Sequence, residues 1–255
     1  MQPQATVMIT GASSGIGRAC ARTFARAGCR LVLAARRAER LTQLAAELRS
    51  ELATEALAIE LDVRDRAAVE QAISELPAAW AEIDILVNNA GLSRGLERLP
   101  AGLPSDWEEM LDTNVKGLLW VTRAVLPGMV ARDRGHVINI GSISGHQVYA
   151  GGAVYCASKH AVAAITQGLR LDLLGTRVRV SSVDPGLVET DFSLVRFHAD
   201  RERADPVYQQ YPPLQADDVA ECVLFCASRP PHVAIMDLVV MPQDQASVYA
   251  AHRRT

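Results

Sequence analysis

A strict alternation along the chain most constrains its fold: short runs rich in Val, Ile and Leu are each followed by a longer segment of helical period. "ATVMIT" predicts a buried strand, "GIGRACARTFARAG" a helix closing on Gly28, "CRLVLAAR" a second strand and "RAERLTQLAAELRSEL" a second helix. "ALAIELDV" follows as a third strand, and "DRAAVEQAISELP" as a helix with Asp65 placed to cap it. After the strand "IDILVNNAG", a long helix is predicted over "TNVKGLLWVTRAVLPGMVARD", then the strand "GHVINIGS" and the helix "AVYCASKHAVAAITQGLRLDLL". The strand "VRVSSVDPG", the helix "ADDVAECVLFCAS" and the strand "DLVVMP" complete the series. Strands that are apolar throughout are buried on both faces, so the sheet is parallel and helices cover both sides. The fold class is therefore α/β, a doubly wound sheet whose ligands sit beyond the carboxyl ends of the strands. With 255 residues and no obvious linker, one domain spanning 1–255 is the simplest organisation. Only the stretch 187–213 breaks the rhythm. It is polar, carries Phe192, Phe197, Tyr208 and Tyr211, and follows a strand end, as a substrate-binding loop would.

Composition limits the partners. An apolar fraction of 49%, a charged fraction of 22% and a formal net charge of −3 describe a soluble globular chain with no electrostatic pull toward nucleic acid or an anionic membrane. No apolar run approaches the roughly 20 residues that span a bilayer, and "MQPQATVMIT" reads as a short tail leading into a strand, not a leader. The five cysteines are an odd number without zinc spacing, which fits a reducing, cytoplasmic setting. Cys222 and Cys226 would be two small buried thiols on one helix face. The six histidines are scattered, so no metal site is predicted. "GSISG" superficially resembles a hydrolase elbow, but Ile143 stands where the nucleophile belongs.

The turn "TGASSGIG" lies between the first strand and the first helix. Gly11, Gly15 and Gly17 allow a tight turn and close approach of a pyrophosphate to a helix N-terminus, where free N–H groups favour anions. Ser13, Ser14 and Ile16 share that turn. At the end of the second strand, where an acidic residue would hold the ribose 2′-hydroxyl of NAD, the chain reads "LAARRAER". Guanidinium forks at Arg36 and Arg37 suit a 2′-phosphate that a carboxylate would repel, so the cofactor is read as NADP. Further on, "VYCASKHA" sets Tyr155 four residues before Lys159, one helical turn apart. By itself that pair is ordinary helix packing with a snorkelling lysine.

In order, "TGASSGIG", "LDV", "NNAG", "TNVKG", "INIGSISG", "YCASK" and "DPGLVET" closely resemble the short-chain dehydrogenase/reductase family across almost the whole chain. The resemblance implies a Rossmann-type seven-stranded sheet and hydride transfer to or from nicotinamide. Longer stretches, among them "RRAERLTQLAAEL", "YAGGAVYCASK", "GLVETDFSLVRF" and "MPQDQASVYAAHRR", resemble a subgroup, the bacterial NADP-dependent 3-hydroxy acid dehydrogenases. By that resemblance Ser142, Tyr155 and Lys159 are the catalytic trio and Asn114 assists. The chemistry suits these roles. Hydride transfer to a carbonyl leaves an alkoxide that needs a proton, and a phenol of pKa about 10 needs a cation nearby to act as a base near neutrality. Ser142 would hydrogen-bond the substrate oxygen, and Asn114 would anchor a water joining Lys159 to solvent. Lys159 would also hold the nicotinamide ribose. Asn89, Ala90 and Gly91 are expected to line the adenosine side, with Asp62 and Val63 flanking the adenine. Pro185 and Gly186 would lie near the nicotinamide and Val188 and Thr190 at its carboxamide; Asp184 receives no role. Substrate choice is expected from His146, Gln147, Val148, Tyr149 and 187–213, with Arg196 as a bidentate clamp for a carboxylate. The predicted partner is a small hydroxy acid or carbonyl compound. Neutral ketones or aldehydes are the alternative, and a non-catalytic NADP sensor is a distant one, against which the intact trio argues. The family resemblance also implies a homotetramer.

Overall fold

The computed structural model describes residues 4–209 and 211–252. The tail residues 1–3, Gln210 within the predicted substrate segment and the closing 253–255 lie outside the described residues. The first half runs β1 (Thr6–Thr10), α1 (Gly15–Arg26), β2 (Arg30–Ala35), α2 (Ala38–Leu52), β3 (Ala56–Glu60), α3 (Arg66–Ser74) and β4 (Ile85–Asn88). The second half opens with α4 (Pro104–Leu111), α5 (Leu118–Ala131), β5 (Gly135–Ile140), α6 (Ala153–Asp172) and β6 (Val178–Pro185). There follow β7 (Val188–Glu189), α7 (Phe192–Arg196), α8 (Arg201–Ala204), β8 (Leu214–Gln215), α9 (Ala216–Ser228) and β9 (Asp237–Val240).

The main sheet is seven-stranded, parallel throughout and ordered β3-β2-β1-β4-β5-β6-β9, with β7 and β8 forming a separate short pair. The chain winds outward from β1 to β3, returns to β4 and winds outward again. That reversal opens a crevice at the carboxyl ends of β1 and β4. Alternate strand residues feed two cores. Val7, Ile9, Leu31 and Leu33 pack with Phe24, Leu44 and Val223 on one face, while Met8, Val32, Leu86 and Val137 meet Val69, Val121 and Met129 on the other. Each such buried side chain contributes about 1.5–3 kcal/mol, so the sheet presents its strand ends from a rigid base. Local rules hold as predicted: Gly28 at φ +78 ends α1, and Asp65 accepts the Ala68 N–H at 3.0 Å to cap α3.

Three features depart from the sequence expectation. The helix expected to begin at 113 is already running from Pro104, through a π-helical turn over Asp112–Gly117, into α5. Pro104 sits at the first helical turn, where its missing N–H costs nothing, so a helix can start there. Gly117 lets this turn close on the end of β3, since a Cβ there would lie 2.6 Å from Val63 Cγ2. Second, the segment after β6 is not irregular but folds into β7, α7, α8 and β8, elements too short to show a period in sequence. His198 (φ +52) and Ala199 (φ +70) make the left-handed turn between its helices. Third, Cys226 is buried but Cys222 only partly so, because residues four apart diverge enough to put one at the margin of the buried stripe.

Candidate active site

A cavity of about 1070 Å³ opens at the carboxyl ends of β1, β4, β5 and β6. Gly11 (φ +67) and Gly15 (φ +50) shape its phosphate end. Ser14 caps α1 without a side-chain bond, leaving first-turn N–H groups for an anion. Gly17 does not line the cavity. A Cβ there would stand 2.4 Å from the Gly11 carbonyl oxygen and 2.5 Å from Asn89 Nδ2, so its role is to let the turn close. The turn is tied to β4 by Thr10, whose hydroxyl accepts the N–H groups of Asn89 and Ala90 at 3.0 Å each. Ser13, Ser14, Ile16, Asp62, Val63, Asn89, Ala90 and Gly91 line the cavity.

Arg36 and Arg37 also line it. Arg37 donates to Ser14 Oγ at 2.7 Å and Ser13 Oγ at 3.1 Å. Burial, then the neighbouring guanidinium of Arg40 and more weakly that of Arg36, pull its pKa below the usual arginine range, against Asp191. Crowded guanidiniums at a helix N-terminus fit a phosphate well, and these residues would hold the 2′-phosphate and pyrophosphate of NADP.

Ser142 follows β5 and plays two parts. Its Oγ accepts the Ser144 N–H at 3.1 Å, capping a 3-10 turn, and it hydrogen-bonds the Tyr155 hydroxyl. Tyr155 and Lys159 share the buried face of α6 and both line the cavity. Burial pushes the Tyr155 phenol up to about 12, against the pull of the Arg196 charge and the Ser142 hydrogen bond. Burial pushes Lys159 down to about 8, against the opposing charge of Asp184. Lys159 Nζ donates to the Ile140 carbonyl at 2.9 Å. The cation lying over the Tyr155 ring is instead Arg196, 5.5 Å from its centroid. Asn114 stands in the π-helical turn behind the cavity wall. Its amide donates to Leu92 O at 2.8 Å and Ser158 Oγ at 3.0 Å, so both hydrogens are engaged in fixing the wall beside Lys159.

At the substrate end, Pro185, Gly186, Val188, Thr190, Tyr149 and Arg196 line the cavity, whereas His146 and Gln147 do not. His146 is drawn away by Asp184, whose Oδ2 lies 2.7 Å from its Nε2. Gln147 is turned to the carboxyl-terminal segment, where its Oε1 accepts the Val248 N–H at 3.0 Å. Val148 is exposed, its carbonyl accepting from the Tyr249 hydroxyl. Arg196 donates to the Tyr149 hydroxyl at 3.0 Å and lies 5.2 Å from the Phe192 ring centroid. Its Nε is buried and has no hydrogen-bond partner among the described residues.

Sequence reasoning missed other wall residues. Arg94 donates to Glu109 at 2.7 Å and to the Val195 carbonyl; its place just after "NNAG" at a strand end was the available clue. Phe192, already named in the 187–213 segment, packs edge-on against Tyr155 at 5.7 Å. Gln245 accepts the Leu187 N–H at 2.8 Å, a contact bridging 58 positions that no local pattern announces.

A doubly wound sheet, a glycine-rich turn and a buried Ser–Tyr–Lys group around one cavity define a dinucleotide-dependent oxidoreductase. The family model described as short chain dehydrogenase matches residues 5–200, and the chain belongs to that family. It is 48% identical over 241 residues to an NADP-dependent 3-hydroxy acid dehydrogenase of Salmonella typhi, covering 94% of this chain and 96% of that one. It is 47% identical over 249 residues to sulfoacetaldehyde reductase 2 of Chromohalobacter salexigens, covering 97% and 98%. Among solved structures, the closed form of serine dehydrogenase complexed with NADP+ superposes with a TM-score of 0.91 at 46% identity, over 98% of this chain and 100% of that one.

Proposed function

We propose that this protein is an NADP-dependent dehydrogenase of small 3-hydroxy acids, of the serine, allo-threonine or 3-hydroxypropionate type. The observation that carries the reading is Arg196: a guanidinium over the Tyr155 ring, with a buried Nε that lacks a partner. An anion two carbons from the reacting hydroxyl would complete that hydrogen bond and bring the hydroxyl to Tyr155.

The nicotinamide, when bound, accepts or gives the hydride. The protein's own groups handle the proton and the orientation. Ser142 and Tyr155 together hold the substrate oxygen, and in the reducing direction the neutral phenol donates its proton as negative charge develops. Lys159, an ammonium at neutral pH, stabilises the phenolate that remains. In the oxidising direction the same phenolate takes the hydroxyl proton. Asn114 keeps the wall behind Lys159 in register, and Phe192 excludes water from the reacting face.

Carboxylate and sulfonate both satisfy a guanidinium fork, and the resemblance to a sulfoacetaldehyde reductase makes the sulfonate a second reading. One spectrophotometric screen separates them. NADP reduction should proceed with 3-hydroxypropionate and serine and be at least tenfold weaker with neutral alcohols of equal length; 2-hydroxyethanesulfonate is the competing arm. Equal rates for acids and neutral alcohols would remove the clamp and favour a broad carbonyl reductase.

The protein is further read as a cytoplasmic homotetramer. An odd number of cysteines without zinc spacing supports a reducing compartment, and exposed Leu111, Leu119 and Val130 along the α4–α5 rod offer apolar contact. Light scattering should return four times the 27.5 kDa chain mass; a monomer would discard the assembly.

A further inference from the structure

His146 and Asp184 form a pair, the carboxylate buried and the imidazole at the surface, that the site described above does not use. Asp184 is the last residue of β6 before Pro185, and its side chain is 4% exposed against 38% for that of His146. Burying a carboxylate is costly unless it is hydrogen-bonded and opposed by a positive charge. Its hydrogen bonds are both present: Ser182 Oγ meets Oδ1, and His146 Nε2 meets Oδ2 at 2.7 Å. The opposing charge is across one peptide unit. Lys159 Nζ rests on the Ile140 carbonyl, and Asp184 Oδ1 lies so close to the next residue that a Cβ at Gly141 would stand 1.8 Å from it. The two ionic heads therefore flank the Ile140–Gly141 peptide, immediately before Ser142.

We propose that Asp184, held by His146 and Ser182, is the positioning residue that keeps Lys159 an ammonium beside Tyr155, with His146 presenting this counter-charge to solvent. The inference rests on the catalytic reading of Tyr155 and Lys159. Lys159 has few other groups to set its charge. Tyr155 shares its helix, Asn114 stands near it from the π-helical turn without charge, and among the described residues Asp184 is the one charged group acting on it from a neighbouring element. On Asp184 the facing groups are Ser182, His146 and Lys159. The pair also joins the 3-10 turn after Ser142, which His146 closes through its N–H to Ile143 O at 3.0 Å, to the strand end that leads into Pro185 and Gly186. Burial alone favours the neutral amine, so without Asp184 the cation opposite Tyr155 would be lost at a lower pH.

The chain makes this measurable. Of its 26 basic residues only Lys116 and Lys159 are lysines, and Lys116 is exposed, paired with Asp112 at 2.7 Å. In the cofactor-free protein labelled at lysine Cε, the titration of Lys159 can be followed by NMR with Lys116 as internal reference. Asp184→Asn should move the Lys159 titration down by about one pH unit or more and leave Lys116 in place. His146→Arg, a surface change that neutralises Asp184 permanently, should move it the same way by less, and it serves if Asp184→Asn does not fold. In turnover, Asp184→Asn should carry the alkaline fall of kcat for 3-hydroxypropionate oxidation to lower pH, whereas a merely structural role would lower kcat without moving that limb. An unmoved Lys159 titration in a folded Asp184→Asn protein, or in His146→Arg if only that variant folds, overturns the proposal. Because the titration needs neither cofactor nor substrate, its outcome is separate from whether 3-hydroxy acids are the substrates.

Discussion

The two ends of the cavity are built by different means. At the phosphate end, closure depends on backbone: positive φ at Gly11 and Gly15, the close approach of Gly17 to Gly11, and Thr10 joining two N–H groups of the next loop. At the substrate end, distant side chains hold short helices in place. Arg94 reaches the Val195 carbonyl, Tyr208 donates to Thr190 O at 2.9 Å and accepts from Ser193 N, Arg203 pairs with Glu97 at 3.1 Å, and His198 meets Asp106 at 3.2 Å. The first arrangement tolerates few residues and serves one ligand shape. The second can be re-specified pair by pair, so selectivity can change there while dinucleotide binding stays intact.

Substitutions should separate the two ends cleanly. The largest effect falls where they meet: Tyr155→Phe should lower kcat by about 10²–10⁴-fold, while NADPH affinity, read by fluorescence titration, stays within about twofold. A variant with near-normal turnover would falsify the proton-transfer role. Next, on the cofactor side alone, Arg36→Ala with Arg37→Ala should raise the KM for NADPH by about 100-fold or more, from two lost charge-assisted contacts of at least about 1.5 kcal/mol each. The KM for NADH should barely change; equal changes for both cofactors would sink the 2′-phosphate assignment. On the substrate side alone, Arg196→Ala should lower kcat/KM for acids by about 10–100-fold, or about 1.4–2.8 kcal/mol, and spare neutral aldehydes. Matching losses for acids and aldehydes would mean that Arg196 supports Tyr155 and not the substrate anion. Smallest of all, Arg203→Ala removes a half-exposed pair worth less than about 1 kcal/mol. It should raise the acid KM by a few-fold at most with no change for NADPH, and a large cofactor effect would show that the two ends are mechanically coupled.

The same contrast explains how much was legible in the sequence. The seven sheet strands, the glycine-rich turn, Asp65 as a cap and the Tyr155–Lys159 face follow from local rules of period, capping and φ, and they stand where the residues imply. Arg196 was visible as a charge near a strand end, but its Tyr149 and Tyr155 neighbours lie 47 and 41 positions away in the chain, which no spacing rule relates. His146 failed as a cavity residue for a similar reason: Asp184, 38 positions on, draws it off the wall. Asp184 itself was passed over because its motif neighbours Pro185 and Gly186 carried the family pattern and it did not. Residues whose partner is adjacent in sequence could be read; those whose partner arrives through the sheet could not.

The π-helical turn at Asp112–Gly117 sets a phase. Each residue of an α-helix turns the chain by about 100°, and a wide turn of this kind carries one residue more than a regular turn would. Winding the same six residues of "DTNVKG" into a regular ladder, with none removed, would swing everything before it, including Met110 and Asp106, by roughly a quarter-turn relative to α5. Met110 would leave its cluster with Leu92 and Tyr155, and Asp106 would lose His198. The wide turn thus takes up an extra residue without losing the phase on which both contacts depend.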